Sequence, residues 1–402
     1  MHQPRPPRIL LISNGHGEDL NGGLIADQLL ALRPDLELQA LPIVGDGQAY
    51  RRRGLTLLHQ GAPLPSGGMV YQGLNLWRDL AAGLVQQTLQ QFWVAWRRGR
   101  EADLVLCIGD HVPMAFALLT GRPSVVFLVS TSSHYEGRLR LSAFSRWFCR
   151  RPKVRTVLTR DAFTARDLQA QGLERARFCG YPIMDFAPAP AAAAAPDLAL
   201  PDAATAIALL PGSRFPECLH NLVLLLRLCA LLDQQEPERR WCFHAAVLRG
   251  TEGDDLAALA AAAGWTLEPG VLRSPDRRVE VLLRSDAFAA ILRSSDLVLG
   301  MAGTAVEQAV GLGKPVVQIP GRGPQFSYAF AEAQMRLLGP AVFTVGKGPA
   351  GEVELKEAAT LILRLLADPE LPARCSAIGL ERVGAPGGSR GIAEAVLAAL
   401  RA

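Results

Sequence analysis

Two short segments carry residue types suited to holding a diphosphate. The first reads Leu209-Leu210-Pro211-Gly212-Ser213-Arg214-Phe215-Pro216-Glu217. An apolar strand ends there, Gly212 lets the chain turn, and a helix is expected from about Glu217. Free backbone N–H groups at a helix start favour an anion, and Arg214 adds a planar fork matched to phosphate oxygens. The same residues would also make an ordinary β–α turn with an exposed arginine. The second segment runs from Asp296 to Pro315 and contains Gly300-Met301-Ala302-Gly303-Thr304-Ala305-Val306-Glu307. A strand over 297–299 leads to Gly303-Thr304, where a helix begins with no side chain at Gly303 to block close approach. Glu307, one turn in, is placed to accept hydrogen bonds from ribose hydroxyls, although a glutamate there also complements the helix dipole by itself. Two such turns in one half suggest a nucleotide diphosphate more than either does alone.

The first half offers a different chemistry. Ser13-Asn14-Gly15-His16-Gly17-Glu18-Asp19 follows an apolar run over 8–13 and precedes an amphipathic stretch from about Leu20 to Leu32. A histidine between two glycines on such a turn is either a general base or a cap for the helix that Asp19 opens. The spacing is not Gly-x-Gly-x-x-Gly, which argues against a nicotinamide cofactor. Asp110, in Ile108-Gly109-Asp110-His111-Val112-Pro113, directly follows the apolar run 103–108. A carboxylate at a strand end suits proton abstraction, and equally an N-cap on the next helix. No carboxylate cluster stands out as a metal site, so none is expected.

Leu210-Pro211-Gly212-Ser213-Arg214 with Glu217, followed about 90 residues later by Ala302-Gly303-Thr304-Ala305-Val306-Glu307-Gln308-Ala309, resembles the donor domain of the lipid-A-disaccharide synthases. Those are inverting GT-B glycosyltransferases that use a UDP-sugar. Pro320-Gly321-Arg322-Gly323-Pro324-Gln325-Phe326-Ser327-Tyr328, with Phe330-Ala331-Glu332-Ala333-Gln334 behind it, is similar to the subset described as lipid-A-disaccharide-synthase-related proteins. The resemblance implies a donor site of Gly212, Ser213, Arg214, Gly303 and Thr304 around the diphosphate, Glu307 at the ribose, and Gln325 near the transferred sugar. It sets Gly15, Gly17, Glu18 and Asp19 in an acceptor loop, where the synthases carry Gly-Glu-x-Ser-Gly-Asp. Here spacing and residues differ, with His16 inserted. It also sets Asp110 where the synthases keep an essential carboxylate, with the proline one residue later than in theirs. Inversion needs a base for the acceptor hydroxyl, and the expected base is Asp110, with His16 as runner-up or helper. The UDP-sugar is then a substrate, and no cofactor is implied.

These groups need a scaffold. Apolar runs at 8–13, 103–108, 124–129 and 154–158, separated by helical patterns, are those of a parallel sheet covered on both faces. Residues 186–204 break the pattern with a Pro/Ala-rich linker, and the alternation restarts at 205–210. A chain of 402 residues is comfortable as two domains. The expected fold is α/β, GT-B: two doubly wound Rossmann-like domains facing across a cleft. Residues 1–185 would bind the acceptor, 186–204 link, and 205–385 bind the donor. A C-terminal helix in 386–402 is expected to pack back on the N-terminal domain.

Surface chemistry points to an interface. Residues 71–100 read as one long amphipathic helix whose Leu74, Trp77, Leu89, Phe92, Trp93 and Trp96 share a stripe, ending in Arg97-Arg98-Gly99-Arg100. A second patch, 146–155, sets Trp147 and Phe148 among five cations. Such a stripe either packs into a core or, with aromatics beside Lys and Arg, docks on an anionic membrane. Membrane contact is expected at Trp77, Phe92, Trp93, Trp96, Arg97, Arg98 and Trp147. No nucleic-acid-binding motif accompanies them, so no nucleic-acid partner is expected. Residues 1–200 hold 22 Lys+Arg against 16 Asp+Glu, a net of +6, while 201–402 hold 20 against 22, a net of −2. An anionic surface should therefore face the first half.

The mean hydropathy of +0.16 is high for a soluble chain. Yet no apolar run approaches the roughly 20 residues of a spanning helix, and Ile9–Ile12 is too short for a signal peptide. Seven cysteines without a Cys-x-x-Cys pair read as buried free thiols in a reducing compartment. The expected protein is cytoplasmic and peripheral on the inner face of the plasma membrane. It moves a hexose-type sugar from a UDP-sugar to a lipid or lipid-linked acceptor. The rivals are a non-hydrolysing UDP-sugar epimerase and a non-catalytic nucleotide-sugar-binding membrane adaptor.

Overall fold

A computed structural model describes residues 5–44, 46–59, 84–186, 198, 201, 203–321 and 327–401. The chain divides into two compact units, residues 1–186 with 385–402, and residues 187–384. The expected linker 186–204 and Gln325 fall largely or wholly outside the described residues, as do Trp77 and the rest of 71–83.

The first unit is built on seven strands: β1 (Arg8–Ser13), β2 (Glu37–Pro42), β3 (Thr56–Leu57), β4 (Leu104–Ile108), β5 (Ser124–Leu128), β6 (Val154–Thr159) and β7 (Ala176–Phe178). They lie in the order β3-β2-β1-β4-β5-β6-β7, all parallel. The central strands β4 and β5 are buried at every position, which is what a sheet covered on both faces demands. Each fully buried Leu or Ile there is worth about 1.5–3 kcal/mol relative to exposure. Helices α1 (His16–Leu32), α2 (Gln48–Arg51), α3 (Leu84–Arg97), α4 (His111–Thr120), α5 (Ala143–Cys149) and α6 (Ala162–Ala170) connect the strands. The helix expected from Leu20 begins at His16, since Asp19 N–H already donates to Gly15 O at 2.8 Å.

The second unit carries β8 (Thr205–Leu210), β9 (Trp241–Ala246), β10 (Thr266–Glu268), β11 (Val271–Arg273), β12 (Glu280–Arg284), β13 (Leu297–Gly300), β14 (Val316–Gln318) and β15 (Val342–Thr344). Their order is β10-β11-β12-β9-β8-β13-β14-β15. Five neighbouring pairs are parallel, but β10, β11 and β12 pair antiparallel, an edge the sequence reading did not anticipate. Its helices are α7 (Glu217–Gln235), α8 (Asp254–Ala262), α9 (Phe288–Ser294), α10 (Thr304–Gly311), α11 (Tyr328–Leu338), α12 (Glu352–Leu366) and α13 (Leu371–Arg382). The last helix, α14 (Gly388–Arg401), belongs to the first unit and packs on α1. Asp185 anchors its start by accepting from Gly387 N–H at 2.5 Å and Ser389 N–H at 2.7 Å.

Helix α3 corrects the sequence reading of its stripe. Gln91 is 1% exposed and donates Nε2–H to Ile43 O at 2.9 Å, and Gln87 is buried beside it. The carbonyls that end β2 need donors, and a buried amide supplies one at no cost in unpaired groups. With glutamines inward, Leu89, Trp93 and Trp96 are 63%, 55% and 46% exposed. Phe92 goes the other way and stacks on Phe116 at 4.5 Å, so it is an edge of the core and not a membrane contact.

No disulfide forms among the described residues; Cys107, Cys149, Cys218, Cys229 and Cys375 are buried, whereas Cys179 and Cys242 are half-buried. No described helix is long and apolar enough to cross a membrane.

Candidate functional site

In the second unit β8 and β13 are neighbours, with Leu210 paired to Gly300 and Met301 N–H donating to Leu210 O at 2.8 Å. The two turns singled out in the sequence therefore leave the sheet side by side. After β8 the chain turns at Gly212, whose φ of 104° lies in the region that favours glycine. Asn221, buried on α7, donates Nδ2–H to Pro211 O at 3.1 Å and ties this turn to the helix. Ser213 is exposed and Arg214 half-buried. Among the described residues the Arg214 guanidinium makes no hydrogen bond or ion pair. Burial draws its pKa below the ordinary arginine value, and the nearby Glu217 charge opposes this without cancelling it. A guanidinium partly stripped of water, with no protein anion in contact, is prepared for the anion of a ligand.

After β13, Gly303 precedes α10. Among the described residues, a Cβ on Gly303 would meet only Phe330 Cζ, at 3.7 Å. No other described residue comes near that position, which leaves room there for a ligand as far as the described residues go. The loop is held from behind by Gln334, which donates Nε2–H to Ala302 O at 3.3 Å and Gly303 O at 3.1 Å. Gln334 Oε1 accepts from Gln318, and Gln318 Oε1 accepts from Thr344 at 3.2 Å. This buried amide relay fixes the peptide planes where α10 begins, beside Thr304. Glu307 lies half-buried one turn into α10. Gln325 lies outside the described residues.

In the first unit, the ends of β1, β4 and β5 bring polar groups together around Gly109, whose φ is 130°. Asp110 Oδ1 accepts from Val112 N–H at 2.9 Å and from Asn14 Nδ2–H at 3.2 Å. Asp110 is thus the N-cap of α4. Its second oxygen, Oδ2, makes no hydrogen bond among the described residues, and His111 Nδ1 lies 3.7 Å from it. The cap therefore occupies one oxygen of the carboxylate and leaves the other uncommitted. Glu18 Oε1 accepts from Ser130 Oγ at 2.5 Å, across from Asp110 over Gly109.

His16 is the first residue of α1, exposed, and Gly15 shows no side-chain cap, so the capping role considered for His16 is not what the helix uses. Asp19 is not a loop residue facing an acceptor. A helix that starts at His16 turns Asp19 inward, where it is 2% exposed. Its Oδ1 accepts from Ser13 Oγ at 2.5 Å, and Ser13 Oγ accepts from Tyr50 OH at 2.8 Å. Burial, helped by the Glu18 and Asp46 charges and opposed by the Ser13 hydrogen bond, pushes the Asp19 carboxyl up to about 7. Gly15 and Gly17 are half-buried at the turn itself.

Sequence reasoning missed Asn14, Ser130, Asn221 and Gln334. Asn14 and Ser130 each stand directly after an apolar strand run, which was the available signal. No group of three or more His, Cys, Asp or Glu is placed to hold a metal among the described residues.

No family profile matches the chain. Over 417 residues, covering the whole of both chains, it is 26% identical to the lipid-A-disaccharide synthase of Anaeromyxobacter dehalogenans (strain 2CP-1 / ATCC BAA-258). Among solved structures it is similar to CalG4, the calicheamicin glycosyltransferase, with a TM-score of 0.63 and 16% identity over 98% of this chain and 99% of that one. It is also similar to the UDP-GlcNAc 2-epimerase of Neisseria meningitidis, with a TM-score of 0.54 and 14% identity over 97% and 100%. The chain has the two-domain, Rossmann-like GT-B fold.

Proposed function

We propose that this chain is an inverting glycosyltransferase that moves a hexose-type sugar from a UDP-sugar to a lipid or lipid-linked acceptor. The observation that carries the reading is the pair of turns after β8 and β13, with an unpartnered Arg214 on one and the open Gly303 on the other. Full-length similarity to a lipid-A-disaccharide synthase supports transfer, and supports a glycolipid acceptor. In this scheme the acceptor oxygen attacks C1 of the sugar and its proton passes to Asp110 Oδ2. The bond from C1 to the diphosphate oxygen breaks, and UDP leaves with the electron pair. Arg214 and the start of α10 stabilise charge on the departing diphosphate, where the electrostatic demand is largest. Glu307 would accept from the ribose hydroxyls. The UDP-sugar is a substrate and the scheme uses no cofactor.

The test is to incubate the purified chain with UDP-sugars and a membrane lipid extract, following UDP release and labelled glycolipid together. Transfer predicts both in equal amounts. An isomerised sugar without glycolipid would favour the epimerase reading, which the structural likeness to such an enzyme keeps in view. Bound UDP with neither product would leave a membrane adaptor.

The same proposal has the enzyme work on the cytoplasmic face of the plasma membrane, and the first unit's surface supports contact with a membrane. Trp93, Trp96 and Trp147 are all exposed, and Arg97, Arg100 and Arg151 lie over their rings in that order at 5.6, 4.8 and 4.7 Å. Aromatic rings paired with guanidiniums suit an anionic lipid interface. Arg98 is exposed beside them. Replacing Trp93, Trp96 and Trp147 by alanine should lower partition onto phosphatidylglycerol vesicles by about 10-fold or more, while UDP release in detergent persists. Unchanged sedimentation with the vesicles would defeat the membrane assignment.

A further inference from the structure

A cavity of about 350 Å³ opens on the first unit where Arg155, Arg175 and Arg177 meet Val154 and the end of α14 at Ala398 and Ala399. It lies at the start of β6 and β7, whereas Asn14, Asp110 and Ser130 follow the ends of β1, β4 and β5 in the same parallel sheet. The cavity is therefore at the opposite edge of the sheet from the candidate base.

Among the described residues no carboxylate is ion-paired with these three arginines. Among the described residues the guanidiniums of Arg155 and Arg177 make no hydrogen bond or ion pair. Arg175 is held in place by donating Nη1–H to Arg151 O at 3.1 Å and Val154 O at 2.7 Å, both neutral acceptors. Arg155, Arg175 and Arg177 are exposed, and three arginines lining one hollow raise its positive potential and favour an anion there. Planar guanidinium forks match phosphate oxygens in pairs. The alanine and valine wall accepts an apolar shoulder rather than a second charge.

We infer that this cavity binds a phosphate group, separate from the nucleotide-sugar site. The phosphate can come from a lipid headgroup or from a free phosphate compound. The chain of contacts from the cavity through Arg175 and Arg151 to exposed Trp147 runs on to the surface assigned above to lipid. The cavity itself stands on its own residues whether or not the chain is a transferase.

The experiment uses the full chain carrying Arg214→Ala, so that the donor turn does not compete for the probe. Inorganic pyrophosphate is titrated by calorimetry, and partition onto phosphatidylglycerol vesicles is measured in parallel. Adding Arg155→Gln with Arg177→Gln should weaken the affected binding by about 10-fold or more, because two charge-assisted contacts are lost. A control pair, Arg240→Gln with Arg249→Gln on the second unit, removes equal charge elsewhere. Loss of pyrophosphate binding alone identifies a free phosphate compound, and loss of vesicle binding identifies a headgroup. If neither changes, or if the control pair changes both as much, the inference is overturned. UDP release by the double variant with Arg214 intact should stay at the parent rate, which separates this result from any failure of the transferase reading.

Discussion

Arg214→Ala is expected to lower kcat/KM for the nucleotide-sugar about 10²- to 10³-fold, the loss usual when one preorganised donor to a developing anion is removed. The expectation rests on where the guanidinium is and on what it does not touch. It is half-buried, its pKa is drawn down by that burial, and no described carboxylate or carbonyl engages it. A group in that condition contributes little to folding, so the unfolding temperature should hardly move. Its stabilisation should be realised when charge accumulates on the diphosphate, so kcat should fall more than KM rises. Arg214→Lys tests the fork itself: an ammonium restores the charge but not the paired geometry, and should recover only part of the rate. Steady-state kinetics on the three proteins decide the matter. An unaltered kcat/KM in the alanine variant would put the diphosphate elsewhere.

The turns after β8 and β13 were legible because each obeys local rules. A run such as Thr205–Leu210, a glycine with positive φ, and a helix starting at Glu217 are all set by residues adjacent in sequence. Long apolar runs likewise announced the central parallel strands. What could not be read was set by distant partners. Gln91 on α3 is buried because carbonyls at Pro42 and Ile43 lack donors, and no periodicity within α3 contains that fact. That one demand turned Trp93 and Trp96 outward and Phe92 inward. Asp19 went from loop to interior because the helix started a turn early, and Ser13 and Tyr50 were waiting for it. The cluster of Asn14, Glu18, Asp110 and Ser130 draws on the ends of three strands, which only the sheet order brings together. The antiparallel edge at β10 and β11 was missed for a simpler reason, since strands of three residues carry almost no pattern.

Asp110→Asn separates the observed helix cap from the proposed base. The cap should survive, because the asparagine oxygen can still accept from Val112 N–H, and asparagine and aspartate are comparable N-caps. Folding stability and UDP binding should therefore stay close to the parent values. Proton abstraction should not survive, because the amide that replaces Oδ2 has no basic lone pair. The expected fall in kcat is about 10²- to 10⁴-fold, the range for a lost general base. Asp110→Ala should show the same catalytic loss and, in addition, about 1 kcal/mol of destabilisation from the missing cap. His16 provides the contrast. It is exposed, with no hydrogen bond to break among the described residues, so His16→Ala should leave stability unchanged. If His16→Ala abolished transfer while Asp110→Asn retained it, the base would be the histidine, and Asp110 would be only the start of a helix. The reading favours Asp110 because it is bound into the cluster: Asn14 and Val112 hold one oxygen and leave the other free to serve as the proposed base.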